Sequence, residues 1–498
     1  MTSVRITVLP LFLAAVSLMS HASPGSPQSG TFRATGEMNV ARSFHTATLL
    51  ANGKVLIAGG AVRAASGEWG PFAELYDPNT GAFTLTGNTN TPLFVSSATL
   101  LNDGRVLIVG RVADVKCFPN IAELYEPVTG TFSKTGGTVT GQIGGWAVQL
   151  QDGRVLVAGG ALDCNETFPT PIANPEVYDP ATGTFVATGP FVPTSNLYFT
   201  GGPDVSEVSL LPDGRVLIAG EFDSELYDPV TNTFSITSSM TTLCWGATPP
   251  QYISGRTATS LADGRILLTG GAHEDCGRYA TAELYEPSTE KFVPAGEMSR
   301  QRNNHSATLL PDGTVLIAGG ENGVGSPGTT TTAESYNPSN GRFEILGNMT
   351  FPRAGHTATL LPNGTVLLAG GYGSPEIGFW LRPMPFAEIY TPPVPQPAPV
   401  VTGLQLNSAS VSVGSPFIAS IAGSNLTPET FFDVRFIAPG SNLPKVSLNW
   451  QAGPMSAHAV TAGTSLGVWT ITGVRPHRFQ SDLIGNFFPV TAAITVIP

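Results

Sequence analysis

The sequence contains few charged residues and no cluster of lysine or arginine. Only 12% of its 498 residues are Asp, Glu, Lys or Arg, about half of the 25% that is usual in globular domains. This scarcity excludes a coiled coil, and it removes the high net charge that keeps a disordered chain open. The formal net charge is −12. Nucleic acid is therefore not an expected partner, because its phosphates would be repelled.

Long apolar runs are also missing after the amino terminus. Residues 1–22 contain Arg5, an apolar run over 6–19 and the small residues Ser20 and Ala22 on either side of His21, the pattern of a secretory signal peptide. That run is too short to span a bilayer comfortably, and no later stretch reaches about 18 apolar residues. The sequence predicts a protein that is secreted, extracellular or periplasmic, after cleavage of the signal, and that has no membrane span.

What is present is turn chemistry in a regular repeat. With 57 glycines and 42 prolines but no G-X-Y period, the chain is rich in turns without being collagen-like. One turn glycine recurs about every 50 residues, and a Tyr followed two places later by Pro recurs in step with it. The seven glycines are Gly53, Gly104, Gly153, Gly214, Gly264, Gly313 and Gly364, and the seven tyrosines are Tyr76, Tyr125, Tyr178, Tyr227, Tyr285, Tyr336 and Tyr390.

Each unit is composed of strands. Two short apolar runs flank a hairpin turn, and a third strand containing the Tyr turns into a fourth containing a Phe. Four antiparallel strands per unit indicate a propeller blade, so the sequence predicts an all-β, seven-bladed β-propeller over 31–392. The seventh unit lacks its fourth strand. Because Phe32 precedes His45 by 13 residues, as Phe292 precedes His305, we expect an N-terminal strand to complete that blade and close the ring.

Glycine doublets follow the second strand in five units, as at Gly319-Gly320 and Gly370-Gly371. Together with the Tyr-containing strand they resemble kelch repeats of the bacterial, galactose-oxidase-like type. Units two and four depart from the pattern, with Gly110-Arg111 and Gly220-Glu221 in place of the doublet. The resemblance covers about 31–392 and implies a kelch propeller.

A Pro-rich linker, 393–400, follows the propeller and is expected to be extended. Residues 401–498 alternate like short strands, which predicts an immunoglobulin-like β-sandwich with Trp450 and Trp469 in its core. This layout is similar to that of galactose oxidase. That resemblance would imply a copper site with a Tyr-His dipeptide, a second Tyr linked to Cys and a His from the C-terminal domain. No Tyr-His pair occurs, although His458 or His477 could supply the last element. No metal or other cofactor is expected.

Repetition separates scaffold from function. A residue present in every blade, such as the Glu of the third strand, is expected to be structural and to pair with a neighbouring donor. His45, His305 and His356 each lie in an Arg-x-x-His motif of contiguous blades. They could bind a metal, but hydrogen bonds within the scaffold are the favoured interpretation.

All length variation lies in the segments after the doublets and in those joining blades. Both sets should emerge on one face, here called the loop face, and function is expected there. Exposed aromatic rings suit sugars or apolar side chains, although the same rings could instead fix long loops to the rim. The predicted ligand-binding residues are Trp69, Asp163, Tyr198, Trp245, Asp275, Tyr279, Tyr372 and Trp380.

The four cysteines also lie in these segments. An even number in an exported protein suggests disulfides, and three pairings are possible. Cys117 with Cys164 and Cys244 with Cys276 are preferred because each pair belongs to neighbouring loops of this face. Free, buried thiols are the alternative.

Three functions remain open. The favoured hypothesis is a secreted recognition protein that binds an extracellular glycan or protein through its loop face. The alternative is an extracellular carbohydrate-active enzyme, whether hydrolase, lyase or divergent oxidase, with its site at the channel mouth. Paired carboxylates converging there would favour the enzyme. A purely structural surface module is the third. The sequence has no P-loop, GxSxG or HExxH motif.

Overall fold

The structure is a computed structural model, and it divides the chain into two compact units. One unit is Ser29–Pro392, and the other combines Met1–Gln28 with Pro393–Pro498. The residues that the structure describes are 2–8, 30–62, 72–91, 93–112, 121–139, 146–159, 174–192, 207–220, 224–241, 255–273, 277–322, 328–373, 382–393, 400–406, 410–412, 417–424, 431–437, 444–451, 467–477, 489 and 492–497.

The larger unit consists of seven four-stranded antiparallel sheets, the blades, numbered in chain order by their inner strands. The strands of each blade, from the inner to the outer one, are as follows: in blade 1, Thr46–Leu49, Val55–Ala58, Ala73–Asp77 and Ala82–Leu85; in blade 2, Leu93–Leu100, Val106–Val112, Ile121–Glu126 and Thr131–Lys134; in blade 3, Trp146–Gln149, Val155–Ala158, Glu176–Asp179 and Thr184–Ala187; in blade 4, Glu207–Leu210, Val216–Ala219, Ser224–Asp228 and Thr233–Ile236; in blade 5, Thr257–Ser260, Ile266–Thr269, Thr281–Glu286 and Lys291–Glu297; in blade 6, Ser306–Leu309, Val315–Ala318, Thr332–Asn337 and Arg342–Asn348; in blade 7, Thr357–Leu360, Val366–Ala369, Ala387–Thr391 and Thr31–Ala34.

The second strands form the centre of the core because both of their faces are covered. In blade 1, all four residues of Val55–Ala58 are buried, as expected for a continuous apolar run between two neighbouring sheets. Val55 and Ile57 pack with Leu367 and Ala369 of blade 7. The inner strands contact one another in a closed cycle, with blade 7 returning to blade 1. Apolar side chains between adjacent blades therefore hold the ring together.

The ring is closed by the N-terminal strand. Thr31–Ala34 pairs antiparallel with Ala387–Thr391, and Phe32 lies opposite Tyr390. Their ring centroids are 4.8 Å apart, which matches the separation between Tyr76 and Phe83 in blade 1. The predicted seven-bladed propeller, closed by a strand from the amino terminus, is confirmed. Closure leaves blade 7 with the same four strands as the other blades.

Three two-stranded sheets lie in the segments between the blade strands. Arg42–Ser43 pairs with Ala61–Val62, Ala272–His273 with Gly277–Arg278, and Tyr372–Gly373 with Arg382–Pro383. In each pair, at least one strand directly follows a glycine doublet. These small sheets therefore give regular backbone to part of the loop face.

The smaller unit contains two sheets. In the first, Phe417–Ser424 pairs on one side with Thr2–Val8 and on the other with Val400–Leu406. The second sheet has, in spatial order, Ser410–Ser412, Ala492–Ile497, Gly467–His477, Phe431–Ile437 and Pro444–Gln451. The immunoglobulin-like topology stays a prediction, as does the signal peptide, within which Thr2–Val8 lies. Within the described residues, no helix has the length and apolar character needed to cross a membrane.

Candidate functional site at the channel mouth

Two of the predicted ligand-binding residues belong to the described part of the chain. Tyr279 donates its N–H to the Gly271 carbonyl at 2.8 Å, and Tyr372 forms an isolated β-bridge with Ala354. Both lie where a segment after a glycine doublet contacts the lead-in segment, the residues just before an inner strand. The remaining predicted residues fall outside the described residues, and their roles stay predictions: Trp69, Asp163, Tyr198, Trp245, Asp275 and Trp380, with the cysteines Cys117, Cys164, Cys244 and Cys276.

A chain of backbone hydrogen bonds joins the lead-in segments of blades 5, 6, 7 and 1. The N–H of Asn304 donates to the Gly255 carbonyl, that of Gly355 to Asn304, and that of Phe44 to Gly355, each at 2.8 Å. Each of the four residues lies two places before its inner strand. Because the inner strands surround the channel, these residues border one side of its mouth. We call Gly255, Asn304, Gly355 and Phe44 the collar.

Phe44 is the unusual member of the collar. All four residues have positive φ, and that of Phe44 is 53°. Glycine adopts this left-handed backbone freely and asparagine tolerates it, but for a bulky aromatic residue it is a strained outlier. Phe44 is also 53% exposed, so only part of its ring surface is buried to offset the strain. Such strain without burial is typical of functional sites rather than of a packed scaffold.

The rings of Phe44 and Tyr372 form a pair above the backbone of Gly355. Their centroids are 5.3 Å apart, with the planes inclined at 36°. A Cβ added at Gly355 would lie 2.8 Å from Tyr372 Cε1 and 3.0 Å from Phe44 Cε1. The absence of a side chain at Gly355 is therefore what lets both rings approach the collar.

A polar network fixes the Tyr372 ring from three blades. The Tyr372 hydroxyl donates to Glu321 Oε1 at 2.6 Å and accepts from Asn304 Nδ2 at 3.1 Å. Arg278 donates from Nη2 to Glu321 Oε2 at 2.5 Å and from Nε to Asn303 Oδ1 at 2.7 Å. The Arg278 side chain is 31% exposed and that of Glu321 is 16% exposed. Because its members hold one another, this network presents the aromatic pair in one orientation.

The surroundings of Tyr372 keep its phenol protonated. Burial raises the pKa of Tyr372, and its hydrogen bond to Glu321 raises the pKa further. The phenol therefore stays protonated near neutral pH and donates to the carboxylate. An activated nucleophile requires a pKa shift in the opposite direction or a base that takes its proton.

The three motif histidines link blades. Each Nε2 lies within hydrogen-bond distance of a hydroxyl in the preceding blade: His45 and Thr357 Oγ1 at 3.0 Å, His305 and Thr269 Oγ1 at 2.8 Å, His356 and Ser306 Oγ at 2.9 Å. Burial, followed by the charges of nearby arginines, lowers the pKa of His45 and of His305 to about 3. The expected scaffold hydrogen bond is therefore made through Nε2, whereas the buried Nδ1 of each ring has no hydrogen-bond partner among the described residues.

The third-strand glutamates and the arginines of the same motif are scaffold as well. Arg42, Arg302 and Arg353 are fully buried, and each forms an ion pair with the glutamate of its own blade, at 2.8 to 2.9 Å. Every one of the seven glutamates also accepts a backbone N–H from the segment that leads into its blade: Asn39 to Glu74, Asn90 to Glu123, Val139 to Glu176, Val192 to Glu225, Thr241 to Glu283, Ser299 to Glu334 and Thr350 to Glu388. The predicted structural role of these glutamates is confirmed.

Phe44, Glu321 and Arg278 were not among the predicted ligand-binding residues. The signal for Phe44 was available, because the same repeat position holds Gly255, Asn304 and Gly355. Aligning the blades at that position isolates a single bulky aromatic residue. The contact between Glu321 and Tyr372 has no comparable signal, because 51 residues separate them and only the ring geometry brings them together.

Comparisons with known proteins identify the fold and leave the activity open. No family model matches the chain, and no curated protein matches it. Among solved structures, 597 chains are similar. One is described as a novel fungal alcohol oxidase with catalytic diversity among the AA5 family, in complex with copper. It superposes with a TM-score of 0.58 at 17% identity, covering 94% of this chain and 99% of that chain. The chain therefore has a galactose-oxidase-like, kelch-type propeller fold, as its repeats predicted.

The described residues do not fit a copper ion. Among them, no group of three or more His, Cys, Asp and Glu side chains converges. The Nε2 atoms of His45, His305 and His356 are already directed at hydroxyls. At the channel mouth, the Tyr372 hydroxyl contacts a carboxylate and an amide rather than an imidazole.

Proposed function

We propose that this chain is an exported, non-catalytic recognition protein that binds a glycan at the channel mouth, on Phe44 and Tyr372. The observation that carries the proposal is Phe44, an exposed aromatic residue with φ of 53° at a position where blades 5, 6 and 7 have Gly or Asn. Contact between its ring and a ligand would account for a residue that is both strained and exposed.

The chemistry around the pair suits a sugar. Aromatic faces stack against the apolar side of a sugar ring. Sugar hydroxyls could donate to the remaining lone pairs of Glu321, whose carboxylate oxygens each accept one bond within the network. Since the network already holds the Tyr372 ring, little side-chain freedom is lost when a ligand binds. The signal-like residues 1–22 support the proposal that the ligand is extracellular or periplasmic.

The test combines binding with stability. The purified protein is titrated with a panel of glycans by calorimetry, beside the variant Phe44→Gly. Relief of the left-handed strain, roughly 1–2 kcal/mol, offsets the extra unfolded-chain entropy of glycine, about 0.5–1 kcal/mol. Thermal stability should therefore change little, whereas glycan affinity falls about tenfold or more, as for a binding hot spot.

A matched control separates this proposal from its alternatives. Ile345→Ala removes another exposed apolar side chain, 64% exposed on the outer strand of blade 6, and should leave the affinity unchanged. If Phe44 only fixed loops to the rim, Phe44→Gly would lower stability and spare binding. Release of product from a glycan, or stoichiometric copper in the purified protein, would instead support an enzyme and contradict the proposal.

A further inference from the structure

We propose that Phe351 and Phe386 form a second aromatic subsite on the loop face of blade 7, and that the ligand is a neutral oligosaccharide extending from the channel mouth over this blade. The inference rests on the proposed function, because it assigns the length and charge of the glycan bound at Phe44 and Tyr372.

The geometry of the pair differs from that of the scaffold aromatics. The rings of Phe351 and Phe386 are nearly parallel, inclined at 12° with centroids 4.4 Å apart. The Tyr–Phe pairs inside the blades are tilted, as for Tyr76 and Phe83 at 49°, and their tyrosines are buried. Both Phe351 and Phe386 remain partly exposed. A flat, partly exposed stack offers a ring face of the kind on which sugars pack.

The pair is also absent from corresponding positions of neighbouring blades. The position of Phe351 holds Val40 in blade 1 and Arg300 in blade 6, whereas that of Phe386 holds Phe72 and Thr332. A residue that serves the blade recurs in the repeat, as the glutamates and tyrosines do. The combination of two phenylalanines is therefore not part of the scaffold that these blades share.

The segment between the two aromatic pairs carries no exposed charge. It runs from Phe351 to Gly355, and four residues span up to about 13 Å when extended. Its one ionisable residue, Arg353, is fully buried and bonds Glu388 at 2.9 Å. Ala354 is buried too and pairs with Tyr372, which joins this segment to the first pair. Because each pair can stack one sugar ring, a ligand on both pairs has at least two rings, and the segment that it crosses offers it no charged partner.

The experiment measures affinity against ligand length. Ladders of glucose, xylose, mannose and N-acetylglucosamine oligomers, from monosaccharide to hexasaccharide, are titrated into the full chain and into two variants. Affinity of the unchanged protein should rise about tenfold once both pairs are covered, equivalent to about 1.4 kcal/mol. Phe351→Leu keeps apolar packing but removes the flat face, so it should abolish this gain and leave monosaccharide affinity intact. Phe72→Leu, in blade 1, is the matched control and should keep the gain.

The outcomes distinguish the two proposals. If no sugar of any length binds, the proposed function fails, and this inference fails with it. If sugars bind but affinity is independent of length, or if Phe351→Leu weakens monosaccharides and oligomers equally, only the second subsite is refuted. A clear preference for charged oligosaccharides over the neutral ladders would also overturn it.

Discussion

Acid should destabilise the propeller through its three buried histidines. The rings of His45, His305 and His356 are enclosed between blades, where burial is the main cause of a lowered pKa. For His45 and His305 the folded pKa is about 3, against 6.5 for the free side chain. These imidazoles are therefore protonated near pH 6.5 in the unfolded chain, but only at much lower pH in the folded chain.

The sign and size of the effect follow from that difference. Stabilisation is complete above pH 6.5 and is lost as the pH falls toward 3, because protons bind preferentially to the unfolded state. Well inside this window, each histidine lowers the free energy of unfolding by about 1.4 kcal/mol for every unit by which the pH falls. Between pH 7 and pH 5 the loss is about 2 kcal/mol for each ring. Carboxylates such as Asp77 and Asp103, with a pKa lowered from 3.8, act in the same direction at lower pH, so the interval above pH 5 isolates the histidines.

The variant His305→Gln tests this reasoning. Glutamine keeps a polar terminus for the hydroxyls of Thr257 and Thr269, which lie 3.1 and 2.8 Å from His305 Nε2, but it cannot be protonated. Urea unfolding of the propeller at pH 7 and at pH 5 gives the pH-dependent part of the free energy of unfolding, independent of the absolute stability of each variant.

We expect this part to be about 2 kcal/mol smaller in His305→Gln than in the unchanged protein. In the double variant with His45→Gln, the pH-dependent part should be about 4 kcal/mol smaller than in the unchanged protein. The two rings are in different blades, so their proton uptakes add. An identical pH dependence in all three proteins would refute the argument, since it would mean that the folded ring is protonated at ordinary pH.

Three further predictions concern the ion pairs, the collar and the closing strand. Arg353→Met should lower the free energy of unfolding by about 3–5 kcal/mol by leaving the Glu388 carboxylate buried without its cation. Adding Glu388→Met should restore part of the lost free energy of unfolding in the same denaturation assay. If nothing is restored, the Arg353–Glu388 ion pair does not explain the loss. Gly355→Ala places a Cβ 2.8 Å from the neighbouring tyrosine ring. Its loss of glycan-binding free energy in calorimetry should exceed its loss of free energy of unfolding. Phe32→Ala removes the ring 4.8 Å from Tyr390 and should cost about 2–3 kcal/mol. An unchanged melting temperature in Phe32→Ala would contradict the role of Phe32 in closing the ring.

The propeller could be predicted in detail because its signals are local and repeated seven times. Each fully buried second strand, such as Val55–Ala58, is a continuous apolar run next to a turn glycine with positive φ, as at Gly53. An ambiguous turn in one repeat can be assigned by comparison with the other six repeats. The closing strand was predictable for the same reason, since Phe32 has the spacing of its counterparts.

The site could be predicted only in part, because its signals are neither local nor repeated. Tyr372 was recognised as an aromatic residue outside the repeat. The roles of Glu321 and Arg278 depend on side chains from three blades meeting at the mouth. Phe44 differs from both, because aligning the blades singles it out, whereas its exposure and its left-handed backbone are known only from the structure.

Fold closure and the site share one cause in the sequence, the missing fourth strand of the seventh unit. Residues 31–34 fill that gap and pair with Ala387–Thr391. Phe44 follows ten residues after Ala34, so the pairing that places Phe32 beside Tyr390 also brings the chain's first lead-in segment against blade 7, where Phe44 meets Tyr372. The aromatic pair therefore spans the seam between the two ends of the propeller, and a ligand held by both rings would bridge the point at which the ring is closed without a covalent link.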